Sequence, residues 1–257
     1  MLRSLYTGWT GMYNQQQRLD VISNNMANAT TVGFKKEGAT SKSFDDYLTI
    51  KIRDNSENWM QRKIGNLSPG VKIGEVYTDY TQGSLRETSN DFDLGLDGNG
   101  FFTVNVTDSD GSVHESFTRA GSFHMTSDGY VVDAEGNHLQ AEGGDLQIPV
   151  DAGTVVIDTD GSVYADREKI DRIIIKDFED YNYFKKFRDT YYRPVDGAEE
   201  KPADAMVRQG FLEQSNVKVV NEMVDLIATT RAYEAAQKVV KTADNTMELA
   251  VSSVGKV

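Results

Sequence analysis

Hydrophobic positions follow three rhythms along this chain, and the points where one gives way to another divide it. Leu5, Met12, Leu19 and Met26 recur every seventh residue, with Leu2, Trp9 and Ile22 at offsets of three or four, which predicts an N-terminal helix carrying one apolar seam. Gly8 and Gly11 lie in that stretch, and each costs a helix about 1 kcal/mol relative to alanine. So short and weakened a segment needs a partner to fold on. The same spacing returns at the far end, where Val219, Leu226, Tyr233, Val240, Met247 and Val254 stand seven apart in a stretch from Phe211 free of Gly and Pro. Three residues after four of them come Thr229, Ala236, Ala243 and Ala250, small enough to let a second helix approach closely. Lys218 with Glu222, and Glu234 with Lys238, suit salt bridges on the outer face.

Between the ends the period drops to two. Phe92-Leu94-Leu96, Phe102-Val104-Val106 and Leu146-Ile148-Val150 alternate with polar residues. Asp97-Gly98, Asp110-Gly111, Asp128-Gly129, Glu135-Gly136 and Asp160-Gly161 punctuate these runs as hairpin turns, with glycine supplying the positive φ. The expected fold class is α+β: a discontinuous helical coiled-coil domain, formed by the N- and C-terminal helices, plus a mainly antiparallel β body. Its expected boundaries are 1–35 for the first helix, 36–70 for an extended arm or linker, 71–205 for the body and 206–257 for the second helix. The arm reading rests on residues 45–70, which mix a short β-like run with polar residues and end in Ser-Pro-Gly. The two seams are expected to serve as subunit-interface positions: Leu5, Trp9, Met12, Leu19 and Met26 on one side, and the Val219-to-Val254 series on the other.

Composition narrows the function. The 257 residues are 39% hydrophobic, enough for a folded core. A formal net charge of −13 would repel a phosphate backbone, so nucleic acid is not an expected partner. No window reaches the ~18 to 20 apolar residues of a membrane-spanning helix, and the N-terminus shows no apolar core of a cleaved secretory signal. The absence of cysteine removes disulfides, thiolate metal sites and cysteine nucleophiles.

Candidate chemistry does not accumulate. An EF-hand alignment through Asp108 and Asp110 puts Val106 first and Phe117 twelfth, and one through Asp160 puts Val156 first and Arg167 last, so both lack essential calcium ligands. His114, His124 and His138 are scattered without metal-ligand spacing. Gly98-x-Gly100 lacks the third glycine and the following helix of a dinucleotide fingerprint, and reads as a turn. Lys35-Lys36 reads as an ordinary surface pair. No nucleophile, base and orienting residue come together, so the expectation is a protein that is not an enzyme, with no catalytic residue, metal or cofactor. The stretch NNMANATTVGFKK is then a joint between helix and arm: Asn24, Asn25 and Asn28 close the first seam with amides able to satisfy backbone groups, and Gly33, before Phe34, lets the chain turn away.

Three segments, in this order, resemble the bacterial flagellar rod and hook family of axial proteins. LDVISNNMANATTVGFKK is similar to that family's N-terminal signature, GSLRETSNDFDLGLDGNGFFTV with FTRAGSFHMTSDGYVVDAEGNHL to its shared β domain, and VRQGFLEQSNVKVVNEMVDLIATTRAYEAAQKVV to its terminal helix motif. The resemblance implies a structural subunit exported unfolded by the flagellar type III apparatus. It would polymerise helically outside the inner membrane into the rod, the drive shaft that transmits torque and encloses the export channel. Implied partners are copies of itself, adjacent rod and hook axial proteins and, during secretion, the export apparatus. Within the family the body is short for a hook protein. The arm from Phe44 to Gly70 and the start MLRSLYTGWTGM resemble distal-rod members, with proximal-rod members close behind. The rival reading is a secreted β-rich binding module on a helical oligomerisation stalk.

Overall fold

The computed structural model describes residues 2–50, 63–108, 111–195 and 197–254. They fall into two compact units, one made of 2–26, 37–78 and 219–254, the other of 27–36 and 79–218.

The first unit holds both long helices, α1 (Leu2–Ala27) and α2 (Val219–Leu249), the latter running into a π-helical turn at Ala250–Val254. Within the span expected as an extended arm or linker, the described residues form paired strands. β1 (Glu37–Ser43) pairs antiparallel with β4 (Val71–Thr78), and β2 (Tyr47–Ile50) pairs antiparallel with β3 (Lys63–Leu67). Residues 51–62 of the expected arm lie outside the described residues. The ribbon escapes a hydrophobic reading because backbone pairing holds it, and most described side chains of β1 and β4 stay in solvent. The packing therefore differs from the expected boundaries: β4 groups with the helices instead of opening the body, and residues 27–36 group with the body. The second helix starts at Val219, because 206–218 begin in strand. Asp204–Gln209 pairs with β6 (Leu94–Asn99), and Phe211–Glu213 with β5 (Leu85–Glu87).

The second unit is the β body, and every strand pairing among its described residues is antiparallel. Its main sheet has 10 strands and is organised around β7 (Phe101–Thr107). One edge of β7 is taken by β8 (Val113–Thr118), and the other is shared between His138–Ala141 and Ile175–Phe178. Phe102, Val104 and Val106 enter the main core with Leu94, Leu96, Leu139, Leu146 and Ile148, as the alternation predicts. The opposite face of β7 is covered too. Phe101 packs there with Phe117, Phe178 and Tyr192, so a strand whose alternation suggests one wet face is buried on both. Val150, the last of the third alternating run, is exposed.

Gly129, Gly136 and Gly161 have φ of 84° to 87°, as the turn reading requires, while Asp110 lies outside the described residues. Asp97-Gly98 is not a turn. It sits inside β6, paired with Ala205 and Met206, and a side chain on Gly98 would strike the Asp204 carbonyl.

Candidate functional site

At about 100° per residue, α1 divides into three faces. Leu5, Met12, Leu19 and Met26 are half-buried, with Gly8 and Ile22 on the same line and Ile22 fully covered. At Gly8 the missing side chain matters, because a Cβ there would come to 3.0 Å from Val240 Cγ2. A second face, Thr10, Asn14 and Asn25, is buried although polar. Thr10 lies against Gly70, and Asn14 Oδ1 accepts from Ser41 Oγ at 3.0 Å. The third face is aromatic and open: Tyr6, Trp9 and Tyr13 stand one helical turn apart and are each 49–52% exposed. Trp9, expected on the seam, belongs to this face, with its ring stacked on Tyr13 at 5.9 Å between centroids.

On α2, Leu226, Tyr233, Val240 and Met247 are half-buried, as are Ala236 and Ala243, while Thr229 is buried. Val219 stays exposed, and the side chain of Val254 lies outside the described residues. Glu222 corrects the reading of an outer Lys218–Glu222 pair. It sits three residues after Val219, at the position matching Thr229 and Ala236, and is buried with its Oε2 accepting from Asn25 Nδ2 at 3.3 Å. The contacts Gly8 to Val240 and Asn25 to Glu222 come in opposite order along the two helices, so α1 and α2 run antiparallel.

The joint is built from side chains that imitate strand pairing. Asn25 donates through Nδ2 to the Glu37 carbonyl at 2.8 Å, and its Oδ1 accepts from Glu37 N–H at 2.9 Å. Asn28 forms the next turn, where the Thr31 hydroxyl donates to its Oδ1 and Thr31 N–H to its carbonyl. Asn24 faces solvent. Gly33 has φ +68° and is pressed onto the Arg119-Ala120 backbone, its N–H donating to the Glu213 carbonyl at 2.9 Å. Phe34 is fully buried, with Lys186 Nζ 4.1 Å from its ring centroid.

Lys35 overturns the surface-pair reading. It is 1% exposed, and its ammonium donates to Glu213 Oε1 at 2.7 Å and to the Thr81 carbonyl at 2.8 Å. Glu213 Oε2 accepts from Arg119 Nη1 at 3.1 Å, and Arg119 Nη2 donates to the Gly98 carbonyl at 2.9 Å. One carboxylate thus joins two buried cations drawn from distant parts of the chain. Burial pushes the Lys35 pKa below its ordinary value against the opposing pull of Glu213. Lys36 contributes backbone: its N–H donates to Asn216 Oδ1 at 2.7 Å and its carbonyl accepts from Asp79 N–H at 2.8 Å. The sequence carries no local signal for this cluster, since Lys35 and Glu213 lie 178 residues apart.

The arrangement binds and positions backbone. Among the described residues no three potential metal-ligating side chains cluster. Asp108 grips Arg193 through both oxygens at 3.2 and 2.9 Å, and Asp160 caps its own turn by accepting from Ser162 N–H and Oγ. No helix among the described residues is long and apolar enough to cross a membrane.

Comparison with known proteins agrees with this layout. The family described as "Flagella basal body rod protein" matches residues 5–35, "Flagellar hook protein FlgE/F/G D1 domain" matches 95–165, and "Flagellar basal body rod FlgEFG protein C-terminal" matches 208–252. The chain is 32% identical over 268 residues to the flagellar basal-body rod protein FlgG of Bacillus subtilis, across 96% of this chain and 97% of that one. It is 33% identical over 261 residues to FlgG of Agrobacterium fabrum, covering 95% and 96% of the two chains. It is also 33% identical over 259 residues to FlgF of Caulobacter vibrioides, covering 99% and 97%.

Proposed function

Since this chain belongs to the family of flagellar basal-body rod proteins, we propose that it is a structural, non-catalytic subunit that polymerises helically into the rod of the basal body. The observation that carries the reading is the discontinuous unit in which both ends of the chain fold together, since a subunit built this way presents a continuous helical surface to its neighbours. In this reading the α1 and α2 seams pair as a short antiparallel coiled coil. Leu5, Met12, Leu19 and Met26 face Leu226, Tyr233, Val240 and Met247, while Trp9 and Val219 remain for other copies.

The assembled helices enclose the export channel, the polymer transmits torque, and adjacent rod and hook proteins cap it at either end. The subunit reaches its site through the flagellar export apparatus. Similarity to relatives named FlgG and FlgF is equal at 32–33%, so assignment to the distal rod rests on the arm and on the MLRSLYTGWTGM start.

The test is removal of residues 2–26, a cut that spares the 27–36 stretch packed into the body. The truncated chain should keep the far-ultraviolet spectrum and melting of a folded β protein and be missing from isolated basal bodies. Rods of normal length built from the truncated chain would refute the proposal.

A further inference from the structure

Asn99 and Gly100 form the sole Asn-Gly pair in the sequence, and the fold leaves both residues open at the atoms that could react. Asn99 ends β6 with its side chain in solvent, and among the described residues its carboxamide has no hydrogen-bond partner. Since β6 stops at Asn99 and β7 begins at Phe101, Gly100 belongs to neither ladder, and its N–H donates to no group among the described residues. Other asparagines of the body are held in place. Asn137 Nδ2 donates to Asp133 Oδ2 at 3.0 Å and to the Tyr191 hydroxyl at 3.1 Å, Asn216 Nδ2 to the Asp79 carbonyl at 2.8 Å, and Asn105 Nδ2 to Asp145 Oδ1 at 3.2 Å. Each of these also precedes a bulkier residue, His138, Val217 or Val106.

We propose that Asn99 is a site of spontaneous deamidation, through a succinimide closed onto the nitrogen of Gly100. That nitrogen, giving up its proton to solvent base, attacks Asn99 Cγ, and with no Cβ on Gly100 nothing of its own side chain shields it. The N–Cγ bond forms, the Cγ–Nδ2 bond breaks, and ammonia leaves. Water then opens the ring at one of its two carbonyls. Attack at Cγ gives aspartate; attack at the backbone carbonyl gives isoaspartate, whose main chain runs through the former side-chain carbon.

The place of the residue gives both products a consequence. Asn99 stands opposite Asp204 in the register and on the same face of β6 as Asp97, which pairs with Arg208 Nη2 at 2.6 Å. A carboxylate at 99 is a third anion beside Asp97 and Asp204, and like charges directly opposite destabilise a strand pair. The extra main-chain carbon of isoaspartate arrives where the ladder is tightest, since even a Cβ on Gly98 would lie 2.4 Å from the Asp204 carbonyl oxygen. The Gly98 carbonyl also accepts from Arg119 Nη2 at 2.9 Å, so the altered backbone adjoins the buried Lys35–Glu213–Arg119 cluster. Ageing of the body therefore begins between the strands 94–99 and 204–209.

For the test, purified native chain is held in mildly alkaline buffer beside the same chain unfolded in urea, and both are digested at intervals for mass spectrometry. Replacement of –NH2 by –OH, resolved into aspartyl and isoaspartyl forms, is expected at Asn99 before any other asparagine of the native body, and it should be lost in Asn99→Gln. Asn99 still intact in the native chain once the unfolded chain has converted, or conversion first at another asparagine of the body, overturns the inference. Asn99→Asp should melt below Asn99→Gln, and equal melting overturns the consequence assigned to the product.

Discussion

Glu213 carries two buried cations on one carboxylate, and that imbalance makes the three residues unequal. Glu213→Gln leaves Lys35 and Arg119 buried without their shared anion and should cost about 3–5 kcal/mol. Lys35→Met keeps the Arg119–Glu213 pair, and the Thr81 carbonyl retains Asn216 Nδ2 at 3.2 Å, so its cost should be smaller by about 2 kcal/mol or more. Urea unfolding of the two variants measures the difference, and equal midpoints would contradict the account. A pH dependence follows with a definite sign. Folded Lys35 releases its proton below the ordinary 10.5, whereas unfolded lysine holds it until near that value. In the interval the unfolded state binds more protons, so stability rises with pH, and below the interval the burial cost is constant. The stability of the native chain relative to Lys35→Met should climb over the pH interval that ends near 10.5; a flat difference would place Lys35 at its ordinary value. None of this was legible in the sequence, because Lys35 and Glu213 lie 178 residues apart and a lysine pair in an acidic chain is solvated by default.

At the level of elements, the glycines of α1 and its joint do different work. Gly8 lets α2 approach, and with Val240 Cγ2 only 3.0 Å from a Cβ there, Gly8→Ile should force the helices apart by overpacking that costs about 1–3 kcal/mol. Loss of helical signal by circular dichroism checks it, and an unchanged helix content would count against the close approach. Gly33 is different again. The sequence reads it as the place where the chain turns away from the helix, but the residue sits at φ +68° on the Arg119-Ala120 backbone. Gly33→Val should therefore lower the melting temperature of the body itself; unaltered melting would return Gly33 to a simple helix stop. The two long helices and the turn glycines Gly129, Gly136 and Gly161 were readable because each has a period or a fixed φ. The β1–β4 ribbon was not, since its pairing is made by backbone groups that the side-chain pattern does not register.

Across the whole molecule, stability is unevenly shared. The body holds both large buried clusters, while the helical unit leaves most of α2 in solvent. Hydrogen exchange on the free chain should therefore find the amides of α1 and α2 opening far more often than those of β7, and assembly should protect them. Helical amides as slow as those of Phe101–Thr107 before assembly would mean that the helices need no neighbour. The family match and the terminal seams made this division visible in outline, but the regrouping of 27–36 with the body depends on contacts at long sequence separation.

The helical unit draws on both ends of the chain, and this sets an order in time. A chain emerging N-terminus first, whether from a ribosome or through a narrow conduit, presents α1 long before the residues that cover its seam exist beside it. Until Val219–Leu249 follow, the glycine-weakened first helix has only the ribbon of 37–78 to pack on. The helical unit is therefore completed only once α2 has followed.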